Sequence, residues 1–400
     1  MISSLIAPYA SLLALLAPGD RTVIEELYNS GAVKVRREVR EDESGRHVRH
    51  GTETLFYPDG QRKEQLIYRD GLQHGPWESW HRNGKTNTRG EYRRGRKVGE
   101  QWIFLPGGEK YELVHYRRGL KHGKLIRWQN AETKIHEADY VDDLLHGEVR
   151  RWYSKDRPRL VAQYHHGQKH GKYETWYSSG KPFTVIHFKN GDRDGEYVTW
   201  YAEGEKRSEY FYRDGSPDGP FGVWHRSGKQ SRKGAYDHGQ PVGEWLEWHD
   251  DKTHQLASRT QYKNSQPDGP QLSWYEDGTK RMELFYKDGK PDGRWTEWYA
   301  NGVKKSEGKF AGGVAEGRVD LWYENGKGWA VKHYLAGKKH GSWAEWDEEG
   351  KLVEEKVYDR GLLLRRSRPQ IKPPPSEPAE IKPAEPESPE AKPPPAKQGE

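Results

Sequence analysis

Residues 286–302 read Tyr286-Lys287-Asp288-Gly289-Lys290-Pro291-Asp292-Gly293-Arg294-Trp295-Thr296-Glu297-Trp298-Tyr299-Ala300-Asn301-Gly302. Asn-Gly and Asp-Gly between extended runs are strong hairpin signals, because both residues tolerate positive φ. Between the turns, Trp295, Glu297 and Tyr299 alternate with Thr296 and Trp298. In the preceding run, Met282, Leu284 and Tyr286 alternate with Arg281, Glu283 and Phe285. That period of two is the mark of a strand. The unit therefore reads as strand, tight turn at Asn-Gly, strand, and a glycine-rich turn in the Tyr-x-x-Gly-x-x-x-Gly passage.

The unit repeats along the chain. From Gly51 to Gly341 a glycine recurs thirteen times in steps of 24 residues, with one step of 26 between Gly243 and Gly269. Five residues after each glycine stands an aromatic, Phe56, Trp80, Phe104 and then Trp at every unit from Trp128 to Trp346. Seven residues before it, from the second unit on, stands Tyr or Phe, from Tyr68 to Tyr334. A single hairpin of this size is not stable alone, so the units must stack. The expected fold is all-β: an elongated single antiparallel sheet of stacked 24-residue hairpins, advancing about 9.6 Å per unit and on the order of 120 Å in all if straight.

Departures from the repeat mark altered loops. Glu132 and Asp156 stand where other units carry the turn glycine, and the long step places two extra residues near Asp250 to Ser258. Leu27-Tyr28-Asn29-Ser30-Gly31 reads as a half-repeat, followed by an insertion near Glu41 to Gly45, while Tyr358 and Gly361 open a unit that is not completed. Three regions follow. Residues 1–19 are an apolar lead-in, a signal or anchor candidate interrupted by Pro8 and lacking an early basic residue. Residues 20–364 are the repeat array. Residues 365–400 are a Pro/Glu/Lys-rich tail, expected to be disordered and locally polyproline-like.

Composition agrees with an array of strands. Hydrophobic and charged residues are each 32%, too little aliphatic material for a thick core, yet the chain holds 17 Trp, 24 Tyr, 8 Phe and 45 Gly. Disordered chains lack such aromatic content. There is no Cys, which excludes disulfides, zinc-thiolate sites and thiol catalysis. The absence of thiols suits either side of a membrane, so export and a cytoplasmic location both stay open.

The units quoted above resemble the MORN-repeat variant found in many bacterial proteins and often labelled an antitoxin component. The resemblance runs from Leu27 to Gly361 and rests on the Tyr-x-x-Gly-x-x-x-Gly core combined with the Trp-Tyr-x-x-Gly turn. It implies a hairpin array that serves protein association or attachment to a membrane surface, and it implies no chemistry.

Candidate sites are few. Between Arg89 and Arg127 there are 11 Lys or Arg against four Glu. Arg93, Arg94, Arg96, Lys97, Arg117, Arg118, Lys121 and Lys124 recur at turn positions of neighbouring units and are expected to form a basic edge. Such an edge attracts an acidic protein, anionic headgroups or nucleic acid. The later repeats are mixed in charge and carry no reading motif, so nucleic acid ranks last. The residue before the anchor glycine is His at positions 50, 74, 122, 146, 170 and 340 and Asp or Glu at 194, 218, 268, 292 and 316. Like positions in successive units lie about 9.6 Å apart, whereas ligands of one zinc sit within about 4 Å, so this column reads as a turn device and no metal is expected. No phosphate loop, nucleophile elbow or paired metal motif is present, so neither enzyme nor cofactor is expected. The leading reading is a scaffold for a protein partner, with a membrane surface as a further site of attachment. The alternative is an aromatic-lined binder of cell-wall carbohydrate.

Overall fold

The computed structural model describes residues 21–368; the expectations for the apolar lead-in and for most of the tail lie outside them. The chain divides into two compact units, residues 1–290 and 291–400. The described residues form 33 strands and no helix, and every strand pairing within each unit is antiparallel. The last strand, Leu362–Ser367, crosses the boundary expected at residue 364.

One register holds in both units. Every anchor glycine stands directly opposite the Tyr or Phe of the next strand: Gly51 opposite Tyr68, Gly123 opposite Tyr140 and Gly269 opposite Tyr286 in the first unit, Gly293 opposite Phe310 and Gly341 opposite Tyr358 in the second. An aromatic ring across from a strand glycine covers the backbone that the missing side chain would expose. The glycine is needed because its φ is positive, 102° at Gly123 and 105° at Gly195, a region side chains avoid. A Cβ there would also come within 3.2 Å of the Cβ of His115 or His187. The anchor therefore sits inside a strand as a bulge, where the pairing skips from Lys121 to Leu125. The sequence reading, which placed it in a turn, is corrected on this point.

The two turns also exchange roles. At Asp59-Gly60 only the glycine has positive φ, Gly60 N–H donates to the Tyr57 carbonyl, and Tyr57 N–H donates to Gln61. This is a type I turn closed by a glycine bulge. Asp59, Asn83, Asp277, Asn301 and Asn325 are required for their side chains, which accept the backbone N–H two residues on at 2.8–3.1 Å. The tight two-residue turn with both φ positive lies in the Tyr-x-x-Gly passage, as at Asp70 (55°) and Gly71 (78°). The irregular loops fall where expected. Tyr28 N–H and Gly31 N–H make the same turn bonds as Tyr57 and Gly60, and the His249–Gln255 loop spans the two extra residues.

Within each unit the strands present two unlike faces. On one, the residue two after the anchor glycine pairs with the residue thirteen further on, and their sizes compensate. Leu125 faces Ala138 and Val149 faces Ala162, while Trp77 faces Gly90 and Trp295 faces Gly308. A Cβ on Gly90 would lie 2.8 Å from the Trp77 indole nitrogen. Tyr and Phe from the register above close over these pairs, with Phe221, Tyr236 and Trp245 at centroid distances of 4.7–5.3 Å. On the other face the anchor aromatics stand among charges. Lys206 lies 5.2 Å over the Trp224 ring and pairs with Glu209 at 3.2 Å, and Lys304 lies 5.9 Å over Trp322 and pairs with Glu307 at 2.6 Å.

The final strand is held by Glu354, which is buried and accepts side-chain bonds from Lys356, Arg368 and Arg366. Those donors, Lys356 foremost, bring its carboxyl from the ordinary 4.5 down to about 2. A folded value below the unfolded one means the contribution is complete above pH 4.5 and is lost as pH falls towards 2.

Two outcomes are expected. Gly90→Ala should destabilise the first unit by about 1–3 kcal/mol through overpacking, and adding Trp77→Leu should recover much of that loss. Chemical unfolding of the four variants of the cycle measures this, and additive losses would contradict size compensation. Glu354→Gln should loosen residues 362–367 at neutral pH and leave them less sensitive to acid between pH 4.5 and 2. Amide-exchange protection of that strand, compared with the parent across the window, reads it out.

Candidate functional site

The two-residue turns line one edge of the first unit. Arg93 ends the strand Thr86–Arg93, Arg94 occupies the turn with φ of 51°, and Arg96 opens Arg96–Phe104 directly opposite Arg93. One hairpin pair later Arg117 and Arg118 repeat the arrangement, Arg118 at φ 55°. Neighbouring turns are tied together: Gly95 N–H donates to the Gln73 carbonyl at 2.8 Å, and Gly119 N–H to Lys97 at 2.8 Å. The residue opening each strand packs on the next turn glycine, Leu72 against Gly95, Arg96 against Gly119 and Leu144 against Gly167. Stacking of the turns, about 9.6 Å per unit, follows from these contacts.

The structure brings Arg93, Arg94, Arg96, Arg117 and Arg118 to this edge, all exposed. Arg117 meets Asp142 at 3.3 Å; the other four have no ion pair among the described residues. Three members of the expected cluster lie elsewhere. Lys97 and Lys121 stand opposite Tyr92 and Tyr116, and turn into the aromatic face. The Lys97 ammonium lies 5.2 Å over Tyr116 and 5.8 Å over Trp77, and Lys121 lies 5.3 Å over Tyr140. Burial lowers the Lys97 pKa. Lys124 falls one residue past the anchor glycine on the charged face, 2.8 Å from Glu137 and 3.3 Å from Asp139. The Glu137 hydrogen bond, foremost, raises its pKa. Sequence spacing put all eight together because it counted turn proximity; strand alternation separates them.

What the sequence reading missed on this edge is apolar. Leu72, Leu120 and Leu144 are 51%, 41% and 48% exposed, at the same repeat position as Arg96. The signal was present, a leucine directly after the turn pair at Leu72, Leu120 and Leu144. Farther along the first unit that position carries Gln168, Asp192, Ser216 and Gln240. In the second unit the combination returns with Arg360 in the tight turn and Leu362 68% exposed, so what distinguishes the early units is the run of neighbouring turns that carry it.

The His/Asp column has a shared task. His146 Nδ1 accepts from His166 N–H at 3.5 Å, Asp194 from Asp214 N–H at 3.4 Å, Asp292 from Gly312 N–H at 3.3 Å, and Glu316 from Ala336 N–H at 2.7 Å. Each caps the tight turn twenty residues on. A parallel ladder runs along the other edge, where the residue after the anchor aromatic bonds the next anchor's carbonyl: Tyr57 to Trp80, Tyr201 to Trp224, Tyr299 to Trp322, and His225 to Trp248.

The family model described as MORN repeat variant matches residues 49–70, 169–190, 267–288, 291–311 and 339–360. The chain carries MORN repeats of the variant type. Each matched stretch begins two residues before an anchor glycine and spans the bulge, the glycine-closed turn and the strand leading to the tight turn. In the units between these matches the same register and bonds continue, and the matched repeats are those of a repeat scaffold. Among curated proteins none matches it in sequence. Two solved structures, "Crystal Structure of TcdB2-TccC3" and the same complex without its hypervariable C-terminal region, are each 12% identical to it. They cover 86% of this chain, which spans 21% and 20% of theirs, at a TM-score of 0.15. At that score no shared arrangement follows.

Removing a cap tests the column. Glu316→Ala should cost about 0.5–1.5 kcal/mol, the net worth of one hydrogen bond, and speed amide exchange at Ala336 while leaving the Gly289 turn in the other unit unchanged. Equal acceleration at both turns would contradict a local cap.

Proposed function

We propose that this chain is a non-enzymatic scaffold that docks a partner protein bearing an acidic surface on the turn edge of its early MORN repeats. The observation that carries the reading is the alternation on that edge of Arg93, Arg94, Arg96 and Arg118, without ion pairs among the described residues, with exposed Leu72, Leu120 and Leu144. Arginine is enriched at protein interfaces and their hot spots, and the exposed leucines between the guanidinium groups supply apolar surface that docking would remove from water. Tied turns also favour binding, since a surface fixed by backbone bonds loses little entropy on docking. A toxin-neutralising role is one form of this reading, in which the acidic partner is the toxin; a membrane or envelope location would set where the partner is met.

The absence of an enzyme from this proposal rests on the layout of the molecule. A cavity of about 650 Å³ on the charged face is open, and its polar lining, Glu78, Arg89, Glu91 and Glu100 beside Trp102, offers no nucleophile paired with a base. Carbohydrate binding would use ring faces, and many of those faces carry the chain's own cations, Arg62 at 4.6 Å from the Trp80 centroid and Lys110 at 4.9 Å from Trp102.

The test is capture by the full chain from lysate of its own source, at low and high salt, beside a variant with Arg93→Ser, Arg94→Ser, Arg117→Ser and Arg118→Ser. Anionic vesicles and cell-wall material are run in parallel. A discrete protein recovered in stoichiometric amount, lost at high salt and weakened at least tenfold by the variant, is the expected result. Capture unchanged in the variant would remove the edge from the argument. Binding to vesicles alone would replace the partner by a membrane, and salt-resistant retention on cell wall would favour the glycan reading.

A further inference from the structure

The turn edge carries a second feature, farther along the first unit, where imidazoles gather. His165 ends the strand Arg157–His165, His166 occupies the tight turn with φ of 47°, and His146 and His170 belong to the capping column in the strands on either side. His146, His165 and His166 each place a ring nitrogen so that all three lie within 4.8 Å of one another. Their centroids are 4.4–5.0 Å apart, and His170 lies 5.7 Å from His165. The spacing argument against a metal applies to like positions in successive units. It does not apply here, because the group joins the capping column of one hairpin to the turn of the next.

We propose that His146, His165 and His166 form a binding site for one divalent transition-metal ion of the zinc or nickel class, with His170 in reach as a fourth ligand. Imidazole nitrogens select such borderline ions, whereas calcium and magnesium require oxygen ligands. Zinc–nitrogen bonds of about 2.0–2.1 Å put tetrahedral ligands roughly 3.3 Å apart. His165 and His166 are exposed, so their rotamers can close that distance without moving a strand. His146 Nδ1 accepts from the His166 N–H at 3.5 Å, which leaves the ring proton on Nε2, so Nδ1 is the nitrogen that would ligate, giving up this long bond. None of the four rings has a carboxylate partner among the described residues, in contrast to Asp218, Asp237 and His238, where Asp218 is held by Arg213 at 2.9 Å and His238 by Asp237 at 2.6 Å. A bound ion would join the strands Leu144–Ser154, Arg157–His165 and Gln168–Trp176 beyond their ladder bonds.

The experiment titrates zinc and nickel chloride, by calorimetry at pH 7.5, into the full chain without an affinity tag. The comparison is a variant with His165→Gln and His166→Asn, the latter residue standing at the equivalent turn position as Asn190. One equivalent bound with micromolar or tighter affinity, weakened at least tenfold in the variant and accompanied by a higher thermal midpoint only in the parent, is expected. Cobalt absorbance of the parent supplies a readout independent of any variant, with intense visible bands for a four- or five-coordinate nitrogen site. Binding of equal strength in a variant whose circular dichroism matches the parent would overturn the proposal. So would the absence of both a calorimetric site and cobalt bands in the parent.

Discussion

Each unit of this protein depends on a single contact, an aromatic ring lying across from a glycine held at positive φ. The glycine lets the strand bulge, and the bulge reconciles the pairing on one side of the strand with that on the other. Without the ring the bulged backbone would be open to water; without the glycine the ring would meet a side chain in strain. The pair repeats at all thirteen anchors, from Gly51 opposite Tyr68 to Gly341 opposite Tyr358. The register is therefore reset every 24 residues and a slip in one hairpin is not passed on.

Around that contact a thin sheet is stabilised without an aliphatic core. The aromatic face closes by matching ring against glycine, as at Trp77 and Gly90, or branched chain against alanine, as at Val149 and Ala162. Lysine and arginine stems complete it in some repeats and proline takes the same position in others, Pro217 opposite Tyr212 and Pro267 opposite Tyr262. The polar residues have structural work too. The capping column and the tyrosine-to-carbonyl ladder fix the two edges, so turns that would otherwise be independent are joined into continuous surfaces.

Function has to be sought on those surfaces. The early turn edge offers guanidinium and leucine, the middle of the first unit offers imidazole, and the later turns are mixed in charge. One repeating backbone thus displays different chemistries at equivalent positions, since the turn residues bear little on the register and are free to vary. Much of this was legible beforehand. The hairpin array, the irregular loops and the turn role of His50 or Asp292 followed from spacing alone. The assignment of Lys97, Lys121 and Lys124 to one edge did not survive, because nearness in sequence to a turn does not say on which side of a strand a residue emerges.

The sequence by itself determined the all-β repeat, its 24-residue period and the recurring glycine and aromatic positions, since these depend on local φ, alternation and turn chemistry that each unit restates. Only the tertiary structure decided which turn was tight, that the anchor glycine was a bulge, which cations faced rings and which faced water, and that His165 and His166 met His146. Those outcomes depend on strand pairing between units, a relation between residues some twenty positions apart that one repeat does not contain.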